Sequence, residues 1–201
     1  MSIYDIKPAF QDLLRPIVRW LAASGVTPNR VTFAAFALSC AAGWLIFVQS
    51  AAQWTLFLIP AVLFVRMALN AIDGMLAREH DMRSARGAIW NELGDVMSDA
   101  AIYLPLALAD GVPAMPVVLF VILAIVSEMA GVLAVTIGAG RRYDGPMGKS
   151  DRAVAISLFA FFLAIGVEPG WWCEGFLWLC IGLLILTTVR RVRRALEQVA
   201  P

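Results

Sequence analysis

A chain of 201 residues that is 61% hydrophobic and 15% charged, with a mean hydropathy of +0.78, is too apolar for a water-soluble domain of its size. Its length suits one compact domain, residues 1–201. The formal net charge of +1 is uninformative as a sum, but the placement of the charges is not.

In chain order, residues 3–23 predict an amphipathic helix. Ile3, Phe10, Leu13, Leu14, Ile17, Val18 and Leu21 recur at helical spacing, with Lys7, Arg15 and Arg19 between them. Such a helix lies in the interface of an anionic leaflet or docks on a bundle, and the sequence leaves both readings open. Gly25 and Pro28 end it. Six apolar stretches follow, at about 31–49, 53–76, 88–109, 113–138, 153–168 and 174–190, each near the length a bilayer requires. The expected fold is an all-α integral membrane domain: a bundle of six transmembrane helices with an N-terminal amphipathic juxtamembrane helix.

The basic residues fall on one side of these stretches. Lys7, Arg15, Arg19 and Arg30 precede the first; Arg78, Arg83 and Arg86 separate the second from the third. Arg141, Arg142, Lys149 and Arg152 separate the fourth from the fifth, and Arg190, Arg191, Arg193 and Arg194 follow the sixth. The opposite loops carry no Lys or Arg, which predicts cytoplasmic termini. Trp44, Trp54, Trp171 and Trp172 sit near the outer ends as an aromatic belt. Residues 1–24 lack the clean apolar core of a cleavable leader. Cys40, Cys173 and Cys180 have no motif spacing, and His80 reads as a loop residue. The C-terminal RRVRRALEQVAP reads as a helical extension bearing positive-inside charge, not as a nucleic-acid arm.

One stretch breaks the apolar pattern: NAIDGMLAREHDMRSARGAIWNELGDVMSD, Asn70 to Asp99. Polar side chains at membrane depth are costly and are functional candidates by default. Asn70 and Asp73 lie one helical turn apart, and so do Asn91 and Asp95. At ~1.5 Å rise per residue, Asn70 is about 12 Å from Arg78 and Asp95 about 12 Å from Gly87, so the two polar faces meet at one depth. Oxygen ligands of this kind suit Mg²⁺ or Mn²⁺ together with substrate phosphates. Gly74 and Gly87 remove side chains near the mouth, where a nucleotide approaches.

These residues resemble the CDP-alcohol phosphotransferase (CDP-alcohol phosphatidyltransferase) signature, D-x-x-D-G-x-x-A-R-x8-G-x3-D-x3-D. Asp73, Gly74, Ala77, Arg78, Gly87 and Asp95 match it in type and spacing, while Asn70 and Asn91 replace its first and third aspartates. The segment GVTPNRVT, Gly25 to Thr32, resembles the family's Thr-Pro-Asn approach to its first span. The resemblance implies an enzyme of phospholipid biosynthesis that uses Mg²⁺ or Mn²⁺, one ion or two. It moves a phosphatidyl group from CDP-diacylglycerol to an alcohol acceptor and releases CMP. Carried over residue by residue, it makes Asp73 and Asp95 metal ligands, with Asn70 and Asn91 in the remaining ligand positions. Asp95 is also the candidate base, and Asp73, Gly74, Ala77, Arg78 and Gly87 line the CDP site. It also implies a homodimer in a bilayer, the bacterial inner (cytoplasmic) membrane.

The asparagines offer neutral carbonyl oxygens where aspartates offer charge, which removes two negative charges from the pocket. Farther from the mouth, Arg66 and Asp99 each lie ~18 Å along their helices, so a structural Arg66–Asp99 pair is expected, with Glu128 as the competing partner. The loop AGRRYDGPMGKSDRAV carries Arg141, Arg142, Lys149 and Arg152 to the same side, and Ser150 is placed to cap the next helix. These four are candidate ligands for an acceptor phosphate, as in glycerol phosphate or inositol phosphate, or for the donor's diphosphate. Two other classes fit the intramembrane polar residues: a non-catalytic relative that binds CDP-lipid or cation, and a small ion-coupled transporter. The latter is disfavoured by the absence of inverted repeats or broken helices.

Overall fold

The computed structural model describes residues 3–200, with side-chain surroundings from residue 9 onward. Seven α-helices make up the described chain: α1 (Ile3–Ala23), α2 (Pro28–Val48), α3 (Leu58–Glu79), α4 (Ala85–Tyr103), α5 (Ala114–Leu133), α6 (Lys149–Ala164) and α7 (Trp171–Val199). Short 3₁₀ turns precede α3 and follow α4 and α5, and there is no strand among the described residues.

Local chemistry sets the helix ends. Pro28 opens α2 behind an extended Thr27, where its missing N–H costs nothing. Ser84 caps α4, its hydroxyl accepting from the Gly87 amide at 3.0 Å. α6 begins earlier than the sequence suggests. Its N-cap is Gly148, whose amide donates to Asp151 at 2.9 Å, so Ser150 lies inside the first turn rather than capping it. α4 ends at Tyr103 because Pro105 cannot donate to the Ala101 carbonyl one turn back. That carbonyl oxygen occupies the place a Cβ on Gly43 would take, so α2 and α4 approach at backbone contact there.

Four segments are long and apolar enough to cross a membrane: Pro28–Val48, Gln53–Glu79, Ala114–Ile137 and Trp171–Val199. The expectation of six is met by four on this measure, for two physical reasons. α4 carries Glu92, Asp95 and Asp99. α6 has 16 residues, about 24 Å at ~1.5 Å each, against a hydrocarbon core of about 30 Å. The main core is built on Ile59, Leu106, Phe120, Ile156, Phe159 and Leu184, which join α3, α5, α6 and α7.

α1 belongs to a second cluster. Leu14 and Val18 are buried against Val31 of α2 and Ile72, Met75 and Leu76 of α3, worth about 1.5–3 kcal/mol for each such side chain. Arg15 is tied to Glu79 at 3.2 Å. Phe10 and Leu21 pack at the edge of the same cluster, while Leu13, Ile17 and Trp20 face outward. The helix thus docks on the bundle through one stripe and keeps a second apolar stripe free. Ile3 and Lys7 lie outside the residues whose side chains are described.

Candidate active site

α3 and α4 are antiparallel, and their polar residues pair off level by level. Farthest from the mouth, Arg66 donates through Nη1 to Asp99 Oδ1 at 2.8 Å. One turn nearer the mouth, Asn70 Nδ2 donates to Asp95 Oδ1 at 3.3 Å. Continued by another turn on both helices, the register puts Asp73 and Asn91 at the next level. Asp73 is buried, and its Oδ2 accepts from the Thr32 hydroxyl of α2 at 2.8 Å. Asn91 is half-buried and has no hydrogen-bond partner for its side chain among the described residues.

The Arg66–Asp99 pair is the first link of a buried chain of alternating charge. Arg152 of α6 bridges Asp99 Oδ2 at 3.1 Å and Glu128 Oε1 at 2.9 Å. Glu128 of α5 also meets Arg191 of α7 at 3.3 Å and Arg141 at 2.6 Å. Arg141 in turn grips Glu92 at 2.9 and 3.0 Å. Five helices are tied together by this network. Glu128, the competing partner for Arg66, is committed elsewhere. Burial lowers the proton affinity of Arg141, but the carboxylates of Glu92 and Glu128 outweigh it and leave the guanidinium raised above its ordinary value.

The four basic candidates for a phosphate therefore take different places. Lys149, the first residue of α6, sets its ammonium on Asp95 Oδ2. Arg141 stands at the cavity described below, held by Glu92 and Glu128. Arg152 is buried as a cross-brace. Arg142 turns to Asp144 at 2.8 and 2.9 Å and to Gln198 at 3.1 Å, away from Asp95; its donation holds the Asp144 carboxyl below the ordinary carboxylate range.

Asp95 stands at the edge of a cavity of about 360 Å³ lined also by Asn91, Glu92, Glu128, Arg141 and Lys149. A carboxylate at such an edge is placed to take a proton from a hydroxyl bound there. Gly74, Ala77 and Arg78 occupy the last two turns of α3, and the Arg78 guanidinium folds back to 3.1 Å from where a Gly74 Cβ would be. Gly87 sits on the first turn of α4 against Asn29, whose Oδ1 would be 2.7 Å from a Cβ at that position. Either position would crowd a larger side chain.

For a divalent cation, the donor set is of the oxygen type that suits a hard ion. Asp73 offers one carboxylate oxygen beyond Thr32, Asn91 a carbonyl oxygen at the same level and Asn70 one at the adjoining level. Asp95 already faces Lys149, Asn70 and, at 4.0 Å, Arg66, and no three His, Cys, Asp or Glu side chains converge among the described residues.

Two contributors and one contact are not singled out by the sequence. Thr32 lies in the quoted GVTPNRVT segment, but nothing in its spacing points to Asp73. Arg191 reads as one of four positive-inside arginines, yet it is buried and donates to the Ser127 carbonyl at 2.6 Å. The grip of Lys149 on Asp95 spans 54 positions, which no local pattern encodes.

The sequence model of the CDP-alcohol phosphatidyltransferase family matches residues 25–189. The chain is 48% identical to the inner membrane protein YnbA of Escherichia coli K12 over 200 residues, covering 98% of this chain and 97% of YnbA. It is 27% identical to the archaetidylinositol phosphate synthase of Pyrococcus horikoshii over 162 residues, 81% of this chain and 84% of that enzyme. Its fold matches that of Mycobacterium tuberculosis phosphatidylinositol phosphate synthase PgsA1. With CDP-DAG bound, that structure gives a TM-score of 0.77 at 22% identity over 92% of this chain and 94% of the other. The same protein in complex with manganese and citrate gives 0.76, over 92% and 90%.

Proposed function

We propose that this chain, which belongs to the CDP-alcohol phosphatidyltransferase family and is an enzyme of that class, transfers a phosphatidyl group from CDP-diacylglycerol to an alcohol acceptor. The observation that carries the reading is the register of the signature. Asn70 and Asp95 close on one another between α3 and α4, and Asp95 faces the cavity. The fold match to a synthase solved with CDP-DAG supports a CDP-lipid donor.

In this reading the acceptor hydroxyl binds in the cavity beside Asp95. Its oxygen forms a bond to the lipid-bearing phosphorus, the bond from that phosphorus to the CMP oxygen breaks, and the hydroxyl proton passes to Asp95. Arg78, above Gly74, faces the nucleotide end, where its guanidinium suits a phosphate. Asp73, Asn70 and Asn91 would hold Mg²⁺ or Mn²⁺. The ion, when bound, supplies charge to the diphosphate and to the leaving CMP. Thr32 fixes the Asp73 carboxylate for that task. A phosphorylated acceptor such as glycerol phosphate or inositol phosphate takes Arg141, whose partner Glu92 is the more exposed of its two carboxylates.

The protein spans the membrane six times with both termini cytoplasmic, in a bacterial inner membrane. α4 and α6 complete the bundle because their charges are paired within it. α1 lies in the cytoplasmic interface through Leu13, Ile17 and Trp20. A homodimer is part of the same reading.

The test is CMP release from purified protein given CDP-diacylglycerol, Mn²⁺ and a panel of acceptors with and without phosphate. Release that depends on the acceptor and is lost in Asp95→Asn supports the enzyme. A second reading, a CDP-lipid-binding relative without turnover, is favoured by the ammonium on Asp95 and the two asparagines. It predicts saturable binding of CDP-diacylglycerol with no CMP under any acceptor.

A further inference from the structure

The two asparagines and the Lys149–Asp95 contact have a common electrostatic meaning. Asp73 and Asp95 carry two negative charges, and the diphosphate of a CDP-lipid carries two more. Outside the internally paired network of Arg66, Asp99, Arg152, Glu128, Arg191, Arg141 and Glu92, one divalent ion, Lys149 and Arg78 carry four positive charges, which match these four. With aspartate at positions 70 and 91 the site would hold two further negative charges, the equivalent of a second divalent ion. Uncompensated charge at this depth is costly, so the number of cations follows the number of carboxylates.

We propose that this site takes one divalent ion, and that the Lys149 ammonium, fixed on Asp95, supplies the positive charge at the position a second ion would occupy. The proposal rests on the donor reading of the site and deepens it. Three features carry it. Each Asp95 oxygen has a cationic or amide partner, Lys149 on Oδ2 and Asn70 with the more distant Arg66 on Oδ1, which leaves lone pairs for an acceptor hydroxyl but no oxygen bare enough for a second ion. Lys149 is anchored rather than trailing, because it begins a helix whose N-cap residue, Gly148, is fixed by its amide donating to Asp151. Its side chain is 32% exposed, so it reaches the cavity while keeping water on one side. A lysine differs from an ion in being permanently present. One charge at the Asp95 end is therefore independent of metal concentration.

The experiment counts ions. Manganese bound to the purified full-length protein, saturated with CDP-diacylglycerol, is measured by equilibrium binding and by electron paramagnetic resonance. One Mn²⁺ per chain with the spectrum of an isolated ion is expected. Two per chain, an exchange-coupled spectrum, or no bound ion overturns the proposal. Lys149→Met removes the competing cation and should tighten Mn²⁺ by at least about tenfold, given the strength of a unit charge a few ångströms away. Lys149→Arg should leave the count and affinity unchanged. Unchanged affinity in Lys149→Met also overturns the proposal. If that variant fails to fold, Lys149→Gln serves instead: the same tightening is expected, and its absence overturns the proposal equally. None of these readouts needs turnover. An ion count of one with no CMP released under any acceptor would remove the transferase reading and leave this one standing.

Discussion

At the scale of single residues, the site is a set of charges kept in the membrane by mutual commitment. Asp99 lies between Arg66 and Arg152, all three buried. Asp99→Leu leaves Arg66 with a 3.4 Å bond to the Asp95 backbone carbonyl and the 4.0 Å contact to its carboxylate, and breaking such a buried pair costs about 3–5 kcal/mol. The corresponding loss in thermal stability in detergent should shrink when Arg66→Met is added, since the second change removes the stranded charge. The Arg66–Asp99 pairing is legible in the sequence because two opposite charges at one depth on neighbouring helices have few other places to go. The triple engagement of Glu128 is not. It needs Arg141, Arg152 and Arg191 from a loop and two later helices, and sequence spacing says nothing about which of several basic residues turns inward. Lys149 is legible as a cation at the right side of the membrane, while its partner is not.

At the scale of elements, caps and close approaches set the site's dimensions. The α2–α4 contact at Gly43 admits no side chain, because the Ala101 carbonyl oxygen already occupies the place of a Cβ. Gly43→Val should push α4 outward, loosen the level-by-level pairing of α3 with α4, and lower stability and CMP release together. A rescue of activity without recovery of stability would contradict this. The signature glycines are readable from the motif alone. Gly43 is not, since an isolated glycine in an apolar run carries no sign of what faces it. The helix ends show the same division. Pro28 announces the start of α2, whereas the early start of α6 depends on the Asp151 side chain reaching back to Gly148. α1 answers the choice the sequence leaves open by docking through Leu14 and Val18 while presenting Leu13, Ile17 and Trp20 outward.

At the scale of the whole molecule, hydropathy and basic-residue placement make the all-helical membrane fold readable, and the motif makes the family readable. They overstate uniformity. Four helices qualify as spans on length and composition, and α4 and α6, which contribute Asp99 and Arg152 to the five-helix charged network, join them in the proposed six-span arrangement. That arrangement makes a labelling prediction. With the native cysteines replaced, Arg83→Cys and Tyr143→Cys, both at exposed loop positions, should react with a membrane-impermeant thiol reagent only from the cytoplasmic side. Asp110→Cys and Glu168→Cys should react only from the opposite side.

The central claim is that Asp95, at the edge of the cavity and level with Asn70, takes the acceptor's proton as the phosphatidyl group leaves CMP. It is tested most directly by measuring CMP released from CDP-diacylglycerol by the wild-type protein and by Asp95→Asn at saturating Mn²⁺ and acceptor. The account predicts acceptor-dependent release by the wild type and a loss of at least about 10²-fold in the variant, with CDP-diacylglycerol binding retained. Equal release by both proteins, or none by either across the acceptor panel, would contradict it.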